Sequence, residues 1–439
     1  MAKSILVDGY NLALEKGTGV ATYARNLSFM LHEIGARVEI LYGARISSSR
    51  DSLLREISFF DPRPKTEQYW HEIVRYVAKA FAAPVGSTAR EVPVTGDVIA
   101  TPFRSRLPHF DRIWNVPELF TLGRNGFRAW GKPLTVTVPS RPSIAHWTYP
   151  LPLKVAGAKN IYTLHDLIPL RLPYTTLDNK SYYLRLMKSL VRDADHIVTV
   201  SENSKRDIVN LLGASPDKIT NTFQAVEIPA ALATRPIDAV TREIKGIFGL
   251  EYGAYFLYFG ALEPKKNVGR LIEAYLAAGI DTPLVIVAAE GWKSDQELRL
   301  LNEDHIRYER SIGDLTLVRR KVMRFEYAPF PVLVSLIRGA KAVLFPSLYE
   351  GFGLPVLEAM QLETPVLTSD QGSLPEVAGD AALIVDPYNV RKMAEGIREL
   401  DGNGELRGNL RARGLKQVEN FTTERYKARL QEMYRRIDP

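Results

Sequence analysis

Short apolar runs alternate with amphipathic segments along the chain, and this alternation predicts repeated strand–helix units. The run SILVDGY predicts the first strand, and a glycine-containing break follows it. The next apolar residues are spaced three or four apart: Val20, Ala24, Leu27, Leu31 and Ile34. This spacing predicts one face of a helix, and RVEILYG then predicts a second strand. A strand–helix–strand unit of this kind is typical of a parallel sheet with a right-handed crossover.

The alternation is interrupted over residues 222–242, which contain two prolines, and this interruption predicts a domain boundary. Strands are predicted before it at SIAHW, NIYTLHD and HIVTVS, and after it at AYFLYFG, PLVIVAA, AKAVLFPS, TPVLTS and AALIVD. We therefore predict two α/β domains, residues 1–225 and 240–415, followed by a terminal helix within 416–439. Residues 45–130 show little periodicity beyond the amphipathic segment EQYWHEIVRYVAKAFAA.

The composition indicates a soluble globular protein. The chain has 439 residues, of which 46% are hydrophobic and 24% are charged. No apolar run approaches the roughly 18 residues that a membrane-spanning helix needs, and the first residues lack a signal-peptide pattern. The absence of cysteine excludes disulfides and thiolate metal sites. We expect a cytoplasmic protein.

The net charge of +7 predicts an anionic partner. Residues 101–150 concentrate basic and aromatic side chains: Arg104, Arg106, Arg112, Trp114, Arg124, Arg128, Trp130, Lys132, Arg141 and Trp147. Such a combination suits an anionic membrane surface or an extended polar substrate. An irregular surface with half-packed tryptophans explains it equally well. No nucleic-acid-binding motif is present, so we predict no nucleic-acid partner.

Two predicted strands are followed by candidate site residues, because ligands of open parallel sheets bind where strands end. Gly17, Thr18 and Gly19 form either a tight turn or a loop that approaches a phosphate at a helix start. They match neither the dinucleotide fingerprint nor the P-loop. His165 and Asp166 follow the strand NIYTL and form either a functional pair or a loop cap.

Lysines precede a predicted helix in the segment FGALEPKKNVGRLIEAY. Lys265 and Lys266 are unusual at a helix start, where the dipole disfavours cations. A bound anion would remove this penalty, whereas two solvated lysines would also be compatible with the sequence.

The segment FPSLYEGFGLPVLEAM carries the most informative pattern. A predicted strand ends at Phe345, and Pro355 is predicted to be the first residue of a helix. Before that helix, the amides of Phe352, Gly353 and Leu354 are predicted to point towards an anion. Glu350 in the loop and Glu358 in the helix are candidates to flank the same ligand. A purely structural loop has little use for this combination.

These motifs together resemble the retaining glycosyltransferases of glycosyltransferase family 4. The resemblance rests on PSLYEGFGLPVLEAM followed by TPVLTSDQGSLPEVAGDAALIVDP. Four further segments agree with the family in order and approximate spacing: GALEPKKNVGRLIEAY, HDL at residues 165–167, TVSENSKRDI and GTGVATYARNL. It is dense over residues 255–390 and patchy over 1–35 and 143–215. The resemblance implies the α/β GT-B fold, with two Rossmann-like domains facing across a cleft. It also implies that the last helix crosses back to the N-terminal, acceptor-side domain.

The resemblance also implies roles for the candidate residues. Glu358 would hold the donor ribose, and Glu350 would be a catalytic residue that holds the hydroxyls of the transferred sugar. The backbone at Phe352, Gly353 and Leu354 would face the sugar and its diphosphate. The remaining site residues would surround the diphosphate and the anomeric carbon, as catalytic groups (His165 and Lys266) or binding groups (Gly17, Thr18, Gly19, Asp166 and Lys265).

One position departs from the family pattern. The family often has an arginine two residues before the glutamate of the Leu-Glu-Pro segment, and this chain has Ala261 there. A second cation for the diphosphate would then come from elsewhere, with Lys265, Lys205 and the arginines of 101–150 as candidates.

The resemblance implies a hexosyltransferase that needs neither cofactor nor metal. Its partners would be a nucleotide sugar, with GDP-mannose favoured, and a glycan or lipid-linked acceptor in cell-surface polysaccharide synthesis. Alternative functions are transfer from dTDP-rhamnose or a UDP-hexose, a nucleotide-sugar epimerase, a glycogen-phosphorylase-like enzyme and a non-catalytic glycan- or nucleotide-binding scaffold. The expected location is the cytoplasm, with peripheral attachment to the inner face of the cell membrane.

Overall fold

A computed structural model describes residues 3–12, 19–46, 51–61, 86–98, 107–291, 307–312 and 315–438. The predicted helix in EQYWHEIVRYVAKAFAA lies outside these residues. Two halves, each built on a parallel sheet, are joined by an extended linker, and a C-terminal helix returns to the first half.

The N-terminal half combines eleven described strands with six helices. Its strands are β1 (Ser4–Asp8), β2 (Arg37–Tyr42), β3 (Ser87–Thr88), β4 (Arg90–Val92), β5 (Arg112–Asn115), β6 (Leu134–Thr137), β7 (Ile144–Trp147), β8 (Leu153–Val155), β9 (Lys159–Thr163), β10 (His196–Thr199) and β11 (Ile219–Asn221). Its helices are α1 (Gly19–Glu33), α2 (Ser52–Phe60), α3 (Leu119–Trp130), α4 (Ile168–Arg171), α5 (Lys180–Asp193) and α6 (Glu202–Leu212).

The C-terminal half contains eight described strands. They are β12 (Phe256–Leu262), β13 (Leu284–Glu290), β14 (Arg307–Ile312), β15 (Leu315–Arg320), β16 (Val322–Phe325), β17 (Ala342–Phe345), β18 (Val366–Ser369) and β19 (Leu383–Val385). The helices after the linker are α7 (Ala230–Ala233), α8 (Ile237–Phe248), α9 (Val268–Ala278), α10 (Phe330–Gly339), α11 (Leu354–Gln361), α12 (Leu374–Ala378), α13 (Val390–Gly402), α14 (Gly404–Val418) and α15 (Thr423–Ile437).

In both large sheets, the order in which successive strands are added reverses at an internal position. The N-terminal sheet runs β11-β10-β9-β7-β1-β2-β5-β4, with β4 antiparallel to β5 and the other pairs parallel. The C-terminal sheet runs β16-β13-β12-β17-β18-β19, all parallel. The described residues also form a small sheet, β3-β6-β8, and the antiparallel pair β14-β15. A crevice opens where the strand order reverses, between β1 and β7 and between β12 and β17.

Sequence patterns explain the helices that frame these crevices. Helix α1 buries Ala24, Leu27 and Leu31, as its periodicity predicts, and ends before Gly35, which has a φ of 83°. Helix α6 begins after Ser201, whose hydroxyl accepts the Ser204 amide over 3.0 Å.

The linker over residues 222–229 and the segment before α15 run side by side. The amide of Val226 donates to the carbonyl of Phe421 over 3.4 Å, and Thr423 Oγ1 donates to Glu227 over 3.0 Å. Helices α7 and α8 then pack on α10 of the second half. The two halves are thus joined by two adjacent crossings.

The last helix, α15, returns to the N-terminal half. Leu430 is fully buried on it, and the hydroxyl of Tyr434 lies 2.5 Å from His146 Nδ1 in the N-terminal sheet. Lys427 pairs with Glu33 at the end of α1. These contacts agree with the prediction that the final helix crosses back.

Candidate active site

The candidate residues lie in the loops that follow β7, β9, β12 and β17. These loops lead out of the two crevices and face each other across the junction of the halves. Strand β12 is followed by Lys265 and Lys266, and β17 is followed by Glu350. Strand β9 is followed by His165, and β7 by Thr148. The two switch points therefore contribute to one site.

Lys266 and Glu350 form an ion pair at the C-terminal switch point. Lys266 Nζ donates to Glu350 Oε1 over 2.7 Å, and the Glu350 residue is 7% exposed. Burial opposes ionisation of Glu350, but the charges of Lys266 and Lys265 outweigh it and hold the Glu350 pKa below its usual value. The predicted catalytic lysine and glutamate thus contact each other.

Lys265 is the second cation at this position. Its ammonium lies 3.7 Å from Glu263 Oε2. Burial lowers the Lys265 pKa, but the charges of Glu350, Asp166 and Glu263 exceed that effect and raise it above the usual value. A cation therefore lies beside Lys266 although Ala261 occupies the position that the family pattern gives to arginine. The charge of Lys205 instead acts on His196, whose pKa burial and neighbouring cations lower to about 4.

The loop after β17 requires glycine where it meets the start of α11. Gly353 has a φ of 118°, and a Cβ there would lie 2.8 Å from Leu374 Cδ2. Helix α11 begins at Leu354, so Pro355 is its second residue and not its first as predicted. Within the described part of the chain no side chain caps this helix, which leaves its first amides available to an anion. The Phe352 side chain packs against Phe421, with ring centres 5.6 Å apart.

Glu358 lies one turn into α11 and is half-buried. Burial raises the Glu358 pKa to about 7, and among the described residues no charge or hydrogen bond offsets this effect. Its environment contrasts with that of Glu350, whose carboxylate already has a cationic partner. A ligand hydroxyl is the kind of group that would satisfy the Glu358 carboxylate.

His165 is held in one orientation by the backbone of the N-terminal half. Its Nε2 lies 3.0 Å from the carbonyl oxygen of Thr148, so Nε2 carries the proton and Nδ1 is free to accept one. Burial lowers the His165 pKa, which favours the neutral ring. The Tyr23 ring lies edge-on to it, with ring centres 4.8 Å apart.

Asp8, which ends β1, is a buried carboxyl that was not among the predicted site residues. Its Oδ2 accepts the amide and hydroxyl of Thr148 over 2.5 and 2.9 Å. Burial raises the Asp8 pKa to about 6, although the hydrogen bonds from Thr148 oppose this shift. Thr148 therefore links Asp8 to His165. A charged residue at the end of the apolar run SILVD was the available sequence signal.

The two halves meet in direct contact at this site. A Cβ on Gly351 would lie 2.7 Å from the His165 carbonyl oxygen and 3.0 Å from Asp166 Cβ, so only glycine fits. Ser204 Oγ lies 2.8 Å from the His165 carbonyl and 3.3 Å from the Gly351 carbonyl. The loop that carries Glu350 thus packs against the backbone of the predicted histidine.

Most of the predicted site residues therefore converge. The lysines, Glu350, the start of α11, His165 and Asp166 belong to loops that meet at the junction. Asp166 Oδ1 also accepts the Ile168 amide over 2.9 Å, which is the loop-cap role that the sequence left open. Gly19 is exposed at the start of α1, while Gly17 and Thr18 lie outside the described residues.

A pocket of about 220 Å³ adjoins this site in the N-terminal half. Tyrosine rings dominate its lining: Tyr10 stacks on Tyr149 at 5.6 Å between ring centres, and Tyr183 donates its hydroxyl to the Asp166 carbonyl over 3.2 Å. Arg124 and Asp178 add exposed charged groups. An aromatic pocket with a few polar groups is typical of a small-molecule site.

Neither a metal centre nor a membrane span is found in the described part of the chain. No group of three or more His, Asp or Glu side chains there is arranged to hold a metal ion. None of its helices combines the length and apolar character needed to cross a bilayer.

Comparison with known proteins gives the family. Residues 241–417 match the family described as glycosyl transferases group 1, and residues 17–221 match glycosyltransferase family 4. The chain is 32% identical over 276 residues to O-antigen chain mannosyltransferase B of Escherichia coli, covering 60% of this chain and 67% of that protein. It is 27% identical over 281 residues to the serotype-specific mannosyltransferase WbdA of Escherichia coli, covering 63% of this chain but only 33% of WbdA.

A solved structure agrees on the fold. The sucrose-phosphate synthase of Thermosynechococcus elongatus superposes with a TM-score of 0.64 at 16% identity, covering 99% of each chain. This likeness confirms the predicted GT-B architecture, with two facing α/β domains and a returning helix. Both halves match glycosyltransferase families, and the loops at the two crevices contain the motif residues. The chain therefore belongs to glycosyltransferase family 4.

Proposed function

We propose that this enzyme transfers mannose from GDP-mannose to a saccharide acceptor, a glycan or a lipid-linked saccharide, in cell-surface polysaccharide synthesis. The observation that carries the proposal is the C-terminal crevice, where the Lys266–Glu350 pair lies beside the uncapped start of α11. The mannosyltransferases among the similar proteins favour mannose over other hexoses.

The donor binds the C-terminal half in this proposal. Lys266 and Lys265 neutralise the diphosphate together with the amides at Gly353 and Leu354. Glu358 accepts hydrogen bonds from the ribose hydroxyls, which explains a half-buried carboxylate that has no hydrogen-bond partner among the described residues. Glu350 accepts hydroxyls of the mannose while its ion pair keeps it ionised at neutral pH.

Transfer breaks the bond between the anomeric carbon and the diphosphate oxygen and forms a bond from that carbon to the acceptor oxygen. Negative charge grows on the leaving diphosphate, where the two lysines and the helix start stabilise it. The diphosphate takes the proton of the acceptor hydroxyl on the same face of the sugar, so configuration is retained. Neutral His165 contributes Nδ1 as an acceptor near the anomeric carbon. Under this scheme the reaction needs neither a cofactor nor a metal.

The acceptor binds the tyrosine-lined pocket of the N-terminal half. Sugar rings stack on aromatic faces, and Arg124 and Asp178 offer a donor and an acceptor for hydroxyl groups. Through Tyr183 and Asp166 the pocket adjoins Gly351, so an acceptor seated there lies next to the donor sugar. Its volume of about 220 Å³ suits one or two sugar rings.

We also propose that the N-terminal half attaches to an anionic membrane surface from the cytoplasm. Helices α3 and α5 pack together through Arg128, whose Cζ lies 5.3 Å from the centre of the Tyr182 ring. Exposed basic residues line these helices and the turn after α3: Arg124, Arg128, Lys132, Arg185 and Lys188. Trp130 is 50% exposed among them. Basic clusters next to tryptophan favour anionic headgroups. Arg104 and Arg106 lie outside the described residues.

The test of the function is a donor panel with the purified protein. GDP-mannose, dTDP-rhamnose, UDP-glucose and UDP-galactose are incubated with an oligomannose acceptor, and release of each nucleoside diphosphate is measured. We expect release mainly from GDP-mannose. Lys266→Ala and Glu350→Ala should each reduce it by at least about 100-fold, because both act on charge or hydroxyls at the reacting centre.

Two exposed residues provide matched controls: Lys245→Ala and Glu251→Ala remove a surface ion pair of the same half. Both should keep wild-type rates. Preference for another donor would overturn GDP-mannose, and full activity in Lys266→Ala would overturn the site. Tight donor binding without any release would favour the scaffold alternative.

A further inference from the structure

Tyr349, next to Glu350 in the chain, reaches from the C-terminal half into the N-terminal half. Its hydroxyl donates to Asp207 Oδ2 over 2.5 Å and accepts from Asn203 Nδ2 over 2.6 Å. Both partners lie on α6 of the other half. The residue before the sugar-binding glutamate is therefore tied to a helix of the opposite half.

The partner of Tyr349 is itself fixed. Asp207 is 1% exposed, and its Oδ1 accepts Arg171 Nε over 2.9 Å. Arg171 ends α4, the helix that follows the His165-Asp166 loop. The buried Asp207 carboxylate thus accepts a hydrogen bond from Tyr349 on Oδ2 and one from Arg171 on Oδ1. Through Arg171 it contacts the helix that directly follows the His165-Asp166 loop. Such charge-assisted hydrogen bonds are the strong and directional ones.

A second contact joins the same helix to the C-terminal half. The carboxylate of Glu376, on α12, accepts the amides of Glu202 and Asn203 over 2.7 and 3.0 Å. These are first-turn amides of α6, so Glu376 acts as an N-terminal cap supplied by the other half. Burial raises the Glu376 pKa, while the two amides oppose that shift.

The two contacts have a common geometric effect. Tyr349 attaches the loop of Glu350 and Gly351 to α6, and Glu376 attaches α12 to the same helix. The Ser204 hydroxyl of α6 also lies on the carbonyls of both Gly351 and His165. Any sliding of one half over the other would break these bonds together. We call Tyr349, Asn203, Asp207 and Glu376 the clasp.

We propose that Tyr349 is a positioning residue for sugar transfer, which holds Glu350 in register with His165 by bonding Asp207 and Asn203 across the junction. This role rests on the proposed function of Glu350 as the ligand of the donor sugar. Because the donor binds mainly the C-terminal half in the proposed function, loss of the clasp should largely spare donor binding and impair the assembled transfer geometry. Misplacement of reacting groups by about 1 Å can cost 100-fold in rate.

The experiment compares Tyr349→Phe with Tyr255→Phe in the full chain. Tyr255 is a buried control whose hydroxyl donates to the Leu336 carbonyl over 2.6 Å within the C-terminal half. We expect Tyr349→Phe to lower kcat by about 10- to 100-fold while the calorimetric Kd for the donor stays within about twofold. Tyr255→Phe should leave both unchanged. Tyr349→Phe keeps the Asp207–Arg171 pair, so the protein should remain folded.

A double variant separates positioning from general destabilisation. Asn203→Ala and Tyr349→Phe remove the same link, so the double variant should lose no more than about twofold beyond Tyr349→Phe alone. A kcat for Tyr349→Phe within about twofold of wild type would overturn the proposal. So would an equal loss in Tyr255→Phe, because that would reflect stability and not register.

Hydrogen exchange tests the clasp independently of turnover. In Glu376→Gln the amides of Glu202 and Asn203 lose a charged acceptor and should exchange several-fold faster. Unchanged exchange there would contradict the clasp even in an active enzyme. If no donor on the panel is turned over while exchange accelerates, the proposed function fails and the clasp stands.

Discussion

The loops of the two halves that face each other at the site differ in the charge of their ionisable groups. On the C-terminal side, Lys265 and Lys266 sit beside an ionised Glu350 at a helix start. On the N-terminal side, burial raises the Asp8 pKa to about 6 and lowers the His165 pKa, so that both groups tend towards neutrality. One side is suited to a diphosphate and the other to neutral hydroxyls. This asymmetry supports the proposed placement of the donor on the C-terminal side and of the acceptor on the N-terminal side.

The sharpest way to break this comparison is to alter the acceptor pocket alone. The double variant Arg124→Ala with Tyr149→Ala removes an exposed cation and a stacking ring from the N-terminal side. We expect the acceptor KM to rise about 50-fold with the donor KM unchanged, because these residues bind the acceptor in ground and transition states alike. Initial rates over a grid of donor and acceptor concentrations measure both constants.

The matched control is Arg435→Ala with Tyr327→Ala. Arg435 is exposed on α15, and Tyr327 is 78% exposed on the C-terminal half. Both kinetic constants should remain at wild-type values in this variant. A higher donor KM in the pocket variant would contradict the assignment of the two sides.

The second test concerns the outer surface of the N-terminal half. Vesicles containing anionic lipid should bind the protein at low salt, and Arg128→Ala, Lys132→Ala and Lys188→Ala together should weaken sedimentation with them by at least about tenfold. Each basic residue near an anionic surface contributes roughly 1 kcal/mol. High salt should abolish the binding.

A comparable set on the C-terminal half serves as the control for that experiment. Its members are Lys245→Ala, Arg391→Ala and Lys416→Ala, all exposed. They should leave vesicle binding intact. Equal loss in both sets would mean that net charge, and not this face, governs the association.

The smallest expected effect is on stability and comes from Glu358. Its pKa of about 7 in the folded chain exceeds the ordinary value of 4.5, so the folded state binds more protons between these pH values. Stability should therefore fall as pH rises through that window. Glu358→Gln should be about 1 kcal/mol more stable than wild type at pH 8 and equal to it at pH 4.

Urea unfolding at the two pH values measures this difference. Glu363→Gln, an exposed glutamate two residues after α11, is the control and should show no pH-dependent gain. Equal stability of wild type and Glu358→Gln at pH 8 would mean that the Glu358 carboxylate is not confined in the folded chain.

Hydrophobic periodicity predicted the helices that bury one face and expose the other. Helix α1 buries Ala24, Leu27 and Leu31, which the spacing assigned to one face. The last helix runs from Thr423 to Ile437, within the predicted residues 416–439. The small β3-β6-β8 sheet and the β14-β15 pair were not predicted, because two- to six-residue strands carry little periodic signal.

The motif residues were predictable, but their partners were not. Lys266 and Glu350 are separated by 84 positions, and their direct pairing depends on how β12 and β17 lie side by side. Tyr349 and Asp207 are 142 positions apart and belong to different halves. Local pattern contains no information on such contacts, so the clasp and the Asp8–Thr148 link became visible only in three dimensions.

The paired crossings near Phe421 limit how the enzyme can open. Since the linker hydrogen-bonds the segment before α15 and Glu227 bonds Thr423, the halves are joined along a line and not at a point. Two parallel connections resist twisting and sliding but allow rotation about the line that they define. We therefore expect the halves to open for product release by rotation about one axis, which runs past Phe421.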